Sequence, residues 1–316
     1  MSDPSNSPTP DDVPGDPPIG AFRTGYVAIV GRANVGKSTL LNALVGEKVA
    51  ITANRPQTTR HRILGIKTTP TAQLLYVDSP GLHRQARKAL NRALNRTVAN
   101  VLADVDVVLL VVEAGRLTAD DRMVFDRLRE RQYRPIVAVN MVDRYKPRTR
   151  LLPVLDTLSQ ELEGLADAIV PVSAERAENL EALEALVEAR LPFGPPVFPS
   201  DQLTDRSLRF LAAEFIREPL TRVLRDEVPY ALTVEIEAFE EEEALIRIAA
   251  IIWVERSGQR AIILGKGGER LKELATRARQ TLERLYDKHV YLNLWIKVKE
   301  DWSDDALALR RFGFDE

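Results

Sequence analysis

The feature that most constrains the fold is a glycine-rich octapeptide, GRANVGKS, which follows a short apolar run and precedes a helical pattern. Its spacing is G-x-x-x-x-G-K-[ST]. Glycines at these positions let backbone amides turn towards phosphate oxygens, and the N-terminus of the following helix adds a favourable dipole. The motif therefore predicts a strand, a phosphate loop and a helix that bind a nucleoside triphosphate. The candidate contacts in this loop are Gly31, Asn34, Val35, Gly36, Lys37, Ser38 and Thr39.

Short apolar runs rich in β-branched residues alternate with helical patterns from Tyr26 onward, as is typical of a sheet of buried parallel strands. The predicted strands are YVAIVG, LLYVD, VDVVLLVVE, PIVAVN and AIVPVS. Between them, apolar residues recur at the spacing of one helix face. This order predicts a doubly wound α/β domain.

The length of 316 residues favours two domains. We expect residues 1–22, which are rich in proline and aspartate, to form a disordered tail. The α/β domain should span residues 23–192. Residues 193–205 should form a linker, because proline lacks the amide that would continue a helix or a central strand. Residues 206–316 then have the order of a smaller α+β domain.

Composition excludes several classes of function. The chain has no cysteine, which removes disulfide frameworks, thiolate metal sites and cysteine nucleophiles and fits a reducing cytoplasm. Three scattered histidines do not suggest a metal cluster, and no apolar run reaches the roughly 18 residues needed to span a membrane. Because 44 Lys and Arg nearly balance 46 Asp and Glu, any basic surface must be local.

Two further segments are candidates for holding Mg²⁺ and sensing the terminal phosphate. DSPG ends a strand, which places Asp78 where it can hold Mg²⁺ through water and Gly81 where its amide can contact the γ phosphate. The polar segment NRPQTTRHR offers Thr58 and Thr59, one of which can complete the Mg²⁺ shell while the γ phosphate is present. Taken alone, DSPG could equally be a common turn, and the polar segment fits a solvated connection better than a switch. The predicted metal ligands are Ser38, Thr58, Thr59 and Asp78.

Two later segments predict a guanine base. VNMVD ends a predicted strand at the sheet edge where open α/β domains bind ligands. A carboxylate at Asp143 can accept hydrogen bonds from guanine N1 and N2, whereas adenine has neither donor, so GTP and GDP are favoured over adenine nucleotides. Asn140 can brace the phosphate loop, and VSAE brings Ser173 and the Ala174 amide near guanine O6. The candidate base contacts are Asn140, Met141, Asp143, Ser173, Ala174 and Glu175.

A second glycine loop, IILGKGGERLKEL, has a different chemistry, because Gly267 follows Lys266 and no serine or threonine is near. Its pattern is similar to the G-x-x-G loop of KH domains, which clamps the backbone of single-stranded nucleic acid. Residues 256–299 hold eleven Lys or Arg against four Asp or Glu, a local basic excess. A helix C-cap followed by a tight turn is the alternative interpretation. The candidate RNA contacts are Arg260, Gly265, Lys266, Gly267, Gly268, Arg270 and Lys272.

From about Gly25 to Phe314 the chain resembles the Era family of ribosome-assembly GTPases, which are translation-factor-like GTPases. The resemblance rests on GRANVGKST, QTTRHR, DSPGLH, NMVD and the element order around the second glycine loop. It implies an α/β P-loop GTPase domain with a mostly parallel, doubly wound sheet, followed by a smaller α+β type II KH domain.

The resemblance also implies a function. The chain is expected to be a slow GTPase and switch, with Mg²⁺ as cofactor, that binds the 3′ end of the small-subunit 16S ribosomal RNA. Its expected partner is the pre-30S particle, during assembly of the small (30S) subunit in the cytoplasm. Peripheral contact with the inner face of the cell membrane is compatible with this family, and a monomer suits such a switch.

The sequence departs from the family pattern at Met141 and, mildly, at Ser79, where threonine is usual. Met141 and a further residue, Leu82, affect the nucleotide. Met141 stands where a lysine is usual, and we expect it to cover the base without supplying an ammonium group, which weakens GTP binding. Leu82 follows DSPG where many small GTPases carry a glutamine that orients water, and leucine cannot do this. Related GTPases hold K⁺ with an asparagine at the position of Asn34, so K⁺ is a candidate cofactor. The residues expected to act in hydrolysis are Lys37, Thr59 and Gly81; none is a general base.

Other classes of function stay open at this level. An RNA chaperone with a weak nucleotide site would fit Met141 and Leu82. A GTPase that gates a protein target is a further alternative. A metabolic or RNA-modifying enzyme would need a third catalytic constellation, and the sequence offers none.

Overall fold

The computed structural model describes residues 22–80, 89–115, 117–224 and 228–314, so the predicted tail lies outside these ranges apart from its last residue. In the first domain, six strands form one sheet in the order β2-β3-β1-β4-β5-β6. Only β2 and β3 pair in antiparallel fashion within this sheet. The strands are β1 (Arg23–Val30), β2 (Ile63–Thr68), β3 (Ala72–Asp78), β4 (Val107–Glu113), β5 (Ile136–Asn140) and β6 (Ala168–Pro171). The predicted α/β domain with a mostly parallel sheet is confirmed.

Helices cover both faces of this sheet, so each face has its own apolar core. The helices are α1 (Lys37–Val45), α2 (Ala89–Ala103), α3 (Ala119–Glu130), α4 (Leu152–Glu161) and α5 (Leu180–Glu188). α3 begins at a capping box, in which the Thr118 hydroxyl accepts from the Asp121 amide and the Asp121 side chain accepts from the Thr118 amide. The sequence interpretation had neither β2 nor α4.

The second domain has a three-stranded sheet in the order β7-β8-β9, with β7 antiparallel and β9 parallel to β8. Three helices, Leu208–Val223, Ser257–Leu264 and Glu269–Tyr286, pack on one face of it and enclose two apolar clusters. The elements are α6 (Leu208–Val223), β7 (Leu232–Glu241), β8 (Leu245–Val254), α7 (Ser257–Leu264), α8 (Glu269–Tyr286), β9 (His289–Val298) and α9 (Ala306–Arg311). The predicted α+β domain and its element order are confirmed.

The two domains share a small apolar core. Trp302, fully buried, and Phe314 lie after the second sheet and pack against Leu90 and Leu94 of α2. Residues 193–205 run beside the first sheet, where the amide of Ile66 in β2 donates to the carbonyl of Leu203. The second domain is therefore attached to the first along more than the connecting chain. Within the described ranges, no helix combines the length and apolarity required to cross a bilayer.

Candidate GTP site and candidate RNA-binding loop

The phosphate loop lies between β1 and α1, as the sequence predicts. Gly36 has φ 94°, and a side chain there would place its Cβ 2.3 Å from Nδ2 of Asn140, so both backbone conformation and space require glycine. The Lys37 ammonium donates to the carbonyls of Gly31 (3.0 Å) and Arg32 (2.8 Å), which places it inside the loop. Burial lowers the pKa of Lys37 to about 8. A phosphate bound in the loop would stabilise the charged form of this lysine.

Three predicted metal ligands converge at the start of α1. The Ser38 hydroxyl lies 2.5 Å from Oδ2 of Asp78 and 2.7 Å from the Thr59 hydroxyl, which is itself 3.1 Å from the same carboxylate oxygen. Burial raises the pKa of Asp78, and its Oδ1 is buried without a hydrogen-bond partner among the described residues. Such a hard oxygen cluster, with one carboxylate atom unpaired, fits Mg²⁺ and its water shell.

The structure separates the two threonines of the switch candidate. The Thr58 hydroxyl donates to the carbonyls of Arg55 (2.7 Å) and Ala53 (3.2 Å), so it braces its own loop and lies apart from the oxygen cluster. Thr59 faces the cluster. Of the two threonines, only Thr59 contacts Ser38 and Asp78.

The predicted base contacts surround the end of β5. The Asn140 amide group donates to Val35 of the phosphate loop (2.9 Å), and its oxygen accepts from the amides of Met141 (2.8 Å) and Ala174 (3.0 Å). Asn140 therefore joins the phosphate loop to the segment after β6. The Asp143 carboxylate accepts from the Ser173 hydroxyl at 2.7 Å and leaves its other oxygen for a base. Glu175 is exposed beside them.

Met141 adopts φ 69°, and its methyl carbon lies 3.7 Å from the point that a Cβ on Gly36 would occupy. The side chain thus reaches the phosphate loop, as the covering part of a lysine would. Asn34 has φ 65° and lines a small cavity of about 60 Å³ together with Lys37, Thr39 and Thr59. The predicted contact Gly81 lies outside the described residues, as does Leu82.

Sequence reasoning missed a set of charged residues on α6 that hold the switch candidate. Arg217, 2% exposed, donates to the carbonyl of Thr58 at 2.5 Å and forms a bidentate ion pair with Glu214 at 2.8 and 2.6 Å. Glu218, 3% exposed, accepts from the amide of Thr52 at 3.0 Å. The available signal was the run of charged residues inside an otherwise apolar helical pattern.

A second link runs in the opposite direction, from the first domain into the second. The Arg60 guanidinium, 2% exposed, donates to the carbonyls of Leu232 (2.6 Å), Pro229 (2.8 Å) and Tyr230 (3.1 Å). Burial, with the Arg217 charge nearby, lowers the pKa of Arg60 to about 9. Thr59 is therefore flanked by one residue held by the second domain and one inserted into it.

The second glycine loop joins α7 to α8. Gly265, Gly267 and Gly268 have φ values of 70°, 60° and 83°, and a Cβ at Gly265 would lie 2.7 Å from the Cβ of Arg270. Lys266 and Gly267 are exposed at its tip, where backbone amides are open to a phosphate. Arg270 donates to the carbonyl of Ile262 at 2.8 Å and thereby braces the loop. Arg260 and Lys272 are exposed on the flanking helices.

Two known protein families match different parts of the chain. A family model described as a 50S ribosome-binding GTPase matches residues 26–141. A KH domain model matches residues 227–303.

Similar proteins cover nearly the whole chain. The GTPase Era of Azotobacter vinelandii is 53% identical over 294 residues, which are 93% of this chain and 97% of that protein. The GTPase Era of Pseudomonas aeruginosa (strain LESB58) is 52% identical over 305 residues, 96% of this chain and 99% of that protein.

Solved structures of Era proteins also match nearly the whole chain. A crystal structure of Era in complex with MgGDPNP and nucleotides 1506–1542 of 16S ribosomal RNA matches with a TM-score of 0.89 at 37% identity and covers 93% of this chain and 100% of that one. The structure of a single-residue variant of Aquifex aeolicus Era bound to GDP.AlF4- matches with the same values. With relatives this similar over more than nine-tenths of its length, the chain belongs to the GTPase Era family.

Proposed function

We propose that this chain is a slow GTPase switch that binds the 3′ end of 16S ribosomal RNA and acts in assembly of the small ribosomal subunit. One observation supports the proposal that the chain acts as a switch. Thr59 shares the metal cluster with Ser38 and Asp78, while its neighbours Thr58 and Arg60 are bound by the RNA-binding domain. Any displacement of Thr59 therefore strains contacts between the domains.

In this proposal the nucleotide is GTP or GDP with Mg²⁺. Ser38, Thr59 and Asp78 would hold the cation and its waters, and the cation would neutralise charge on the β and γ phosphates. Lys37 binds the phosphates, and Asp143 selects guanine. Support comes from the converging oxygens and from the relative crystallised with MgGDPNP.

Hydrolysis is proposed to depend on positioning and electrostatic stabilisation, since the predicted set of Lys37, Thr59 and Gly81 contains no general base. K⁺ bound near Asn34 would add positive charge beside the phosphates. On this account the intrinsic rate is slow and rises on the ribosomal particle, where the loops around the phosphates would be held in place.

In this proposal, loss of the γ phosphate changes the position of the second domain relative to the GTPase domain. Without this phosphate, Thr59 is no longer held at the metal, and the loop from Thr52 to Arg60 can move with α6. The RNA loop lies in the same domain as α6 and would be reoriented relative to the GTPase domain. We propose residues 206–316 as the moving unit and residues 193–205 as its connection. The protein would act as a monomer in the cytoplasm, with any contact to the cell membrane being peripheral.

The test is RNA crosslinking in cells followed by sequencing, with wild type compared with Gly267→Asp. The substitution puts a carboxylate at the loop tip, and an aspartate tolerates the positive φ there. Gly258→Asp is the matched control, because it adds the same charge at an exposed position in the first turn of α7.

We expect reads at the 3′ end of 16S RNA in wild type and in the control, and their loss in Gly267→Asp. Reads that are scattered, or unchanged by Gly267→Asp, would make the loop structural. The target of the GTPase would then be sought among proteins.

A further inference from the structure

The RNA-binding domain carries opposite charges in two parts of its sequence. Residues 256–288, which contain α7, the glycine loop and α8, hold nine Lys or Arg against four Asp or Glu. Residues 232–254, which form β7, β8 and their hairpin turn, hold six Glu against one Arg. Helices α6, α7 and α8 lie on one side of the sheet, so the sheet has a separate, acidic side, of which α9 covers one end.

We define the outer face by the side chains that point away from the helices. Strand register puts Glu235, Ile251 and Trp295 in one row across the sheet, and Glu240, Arg247 and Tyr291 in another. The members of the outer face are Glu235, Glu237, Glu240, Glu242, Arg247, Ile251, Trp253, Tyr291, Trp295 and Lys297. Tyr291 is 57% exposed and Trp295 is 43% exposed. Large aromatic groups at this exposure, rimmed by glutamates, are typical of a binding surface.

One end of the outer face already binds an arginine. Arg311 of α9 forms a bidentate ion pair with Glu235 (2.8 and 3.0 Å), and its guanidinium carbon lies 5.6 Å from the centre of the Trp253 ring. The Trp253 indole in turn donates to Glu235 at 2.7 Å. The chain's own C-terminal segment thus shows which chemistry this face accepts: a guanidinium held by a carboxylate and an indole.

The same chemistry recurs beyond the part that α9 covers. Arg247 lies 5.9 Å from the Tyr291 ring and pairs with Glu242 at 2.9 Å. Trp295 has no aromatic or cationic neighbour on its ring within the described ranges. Exposed glutamates continue to the tip of the β7–β8 hairpin, from Glu240 to Glu243. This stretch has indole, phenol and carboxylate groups open to a partner.

We propose that the outer face binds an arginine- and lysine-rich polypeptide segment of another protein, while the glycine loop on the opposite side binds RNA. Arginine side chains of the partner would stack on Trp295 and Tyr291 and pair with Glu237, Glu240 and Glu242. RNA is disfavoured here because the glutamates repel phosphates, whereas a basic peptide is attracted. The domain would thereby hold RNA and a basic protein at the same time, on separate sides.

The first experiment uses the whole protein and a synthetic, fluorescently labelled 20-residue peptide of arginine, lysine, glycine and serine. Anisotropy titration gives its affinity at low and at physiological salt. We compare wild type with Trp295→Thr and with Glu237→Gln/Glu240→Gln/Glu242→Gln. The matched control is Glu130→Gln/Glu163→Gln/Glu181→Gln, which removes three exposed carboxylates from the other domain.

Wild type and control should bind alike. We expect Trp295→Thr to weaken binding about fivefold through the lost cation–π contact. The triple variant of the outer face should weaken it about tenfold, a fold-change equal to ~1.4 kcal/mol. Equal affinities of all four proteins would overturn the proposal, as would equal weakening by the control triple variant. Thermal unfolding checks that each variant is folded.

The same variants also test two other occupants of the outer face. If the triple variant of the outer face loses affinity for the 16S 3′ end oligonucleotide, the face is an RNA surface and the proposal fails. If wild type dimerises in sedimentation and Trp295→Thr does not, the face binds a second copy and the proposal also fails.

A photo-crosslinker at Tyr291 then tests the face on purified small-subunit particles, and this step rests on the proposed function. The expected product is a protein joined through an arginine- and lysine-rich segment, identified by mass spectrometry. Crosslinks to ribosomal RNA alone would contradict the proposal. A crosslinker at Lys266 reports separately whether the particle is bound at all.

Discussion

The guanidinium of Arg217 donates to the backbone carbonyl of Thr58 across the domain boundary at 2.5 Å, and both groups are buried. Thr58 precedes the threonine that shares an oxygen cluster with Asp78. A side chain of the KH domain is thus one residue away from the proposed metal site. This contact, like those of Arg60 on the other side of Thr59, is a route by which the nucleotide state can be transmitted to the second domain.

Removing this contact should uncouple RNA affinity from the nucleotide. Arg217→Met alone leaves the Glu214 carboxylate buried without its partner, which costs roughly 3–5 kcal/mol of folding stability. The double variant Arg217→Met/Glu214→Leu removes both charges and should recover most of that stability. We expect its RNA affinity to be the same with GDP as with a non-hydrolysable GTP analogue, whereas wild type differs by at least about fivefold.

Fluorescence anisotropy with the 16S 3′ end oligonucleotide measures both affinities. Arg209→Met is the matched control, because Arg209 also lies on α6 but donates to carbonyls of Ile236 and Glu237 within the second domain. It should retain the nucleotide effect. A double variant that keeps the wild-type ratio would show that coupling runs through other contacts.

The sequence was sufficient for the parts of the site that depend on short-range patterns. The phosphate loop, the strand-ending Asp78 and the pair Asn140 and Asp143 each follow a buried strand, and parallel strands bring their carboxyl ends to one edge. Their convergence was therefore predictable from spacing alone. The second sheet and the glycine loop between α7 and α8 were predictable because they too follow short-range sequence patterns.

The contacts between domains were not predictable in this way. Arg217 and Thr58 are 159 residues apart, and no local pattern relates them. The choice between Thr58 and Thr59 depends on which hydroxyl faces Ser38 and Asp78, and that is fixed by tertiary packing. β2 was missed because its run of six residues follows a polar segment, and α4 because a proline stands in its first turn.

Met141→Lys should strengthen GTP binding about tenfold, or ~1.4 kcal/mol. The methionine already covers the phosphate loop near Gly36, so the lysine stem would take its place and add an ammonium group there. Isothermal titration with GTP and with ATP measures affinity and guanine selectivity. Met141→Leu keeps the apolar cover and should bind GTP as wild type does. Unchanged GTP affinity in Met141→Lys would refute this account of the departure.

GTP hydrolysis should be faster in K⁺ than in Na⁺ at equal ionic strength, by roughly tenfold, which corresponds to ~1.4 kcal/mol in the barrier. Asn34 is the residue expected to hold the ion. Asn34→Gly tests this without backbone strain, because φ is 65° there and glycine adopts it freely. The variant should lose the K⁺ stimulation and retain GTP affinity. Phosphate release assays give the rates, and equal wild-type rates in the two salts would contradict the prediction.

His61 should make the joint between the domains sensitive to acid. Its ring stacks on Phe314 at 4.5 Å and lies 3.1 Å from the carbonyl of Gly313, and burial lowers its pKa from 6.5 to about 4. Below pH 6.5 the His61 ring therefore binds a proton in the unfolded chain, whereas in the folded protein it stays neutral down to about pH 4. The free energy of unfolding consequently falls as pH falls through this window. Between pH 7 and pH 5, wild type should lose about 1–2 kcal/mol more unfolding free energy than His61→Gln. Urea titration at both pH values measures this, with His289→Gln as control because that ring is exposed; equal losses in wild type and His61→Gln would exclude His61 as the titrating group.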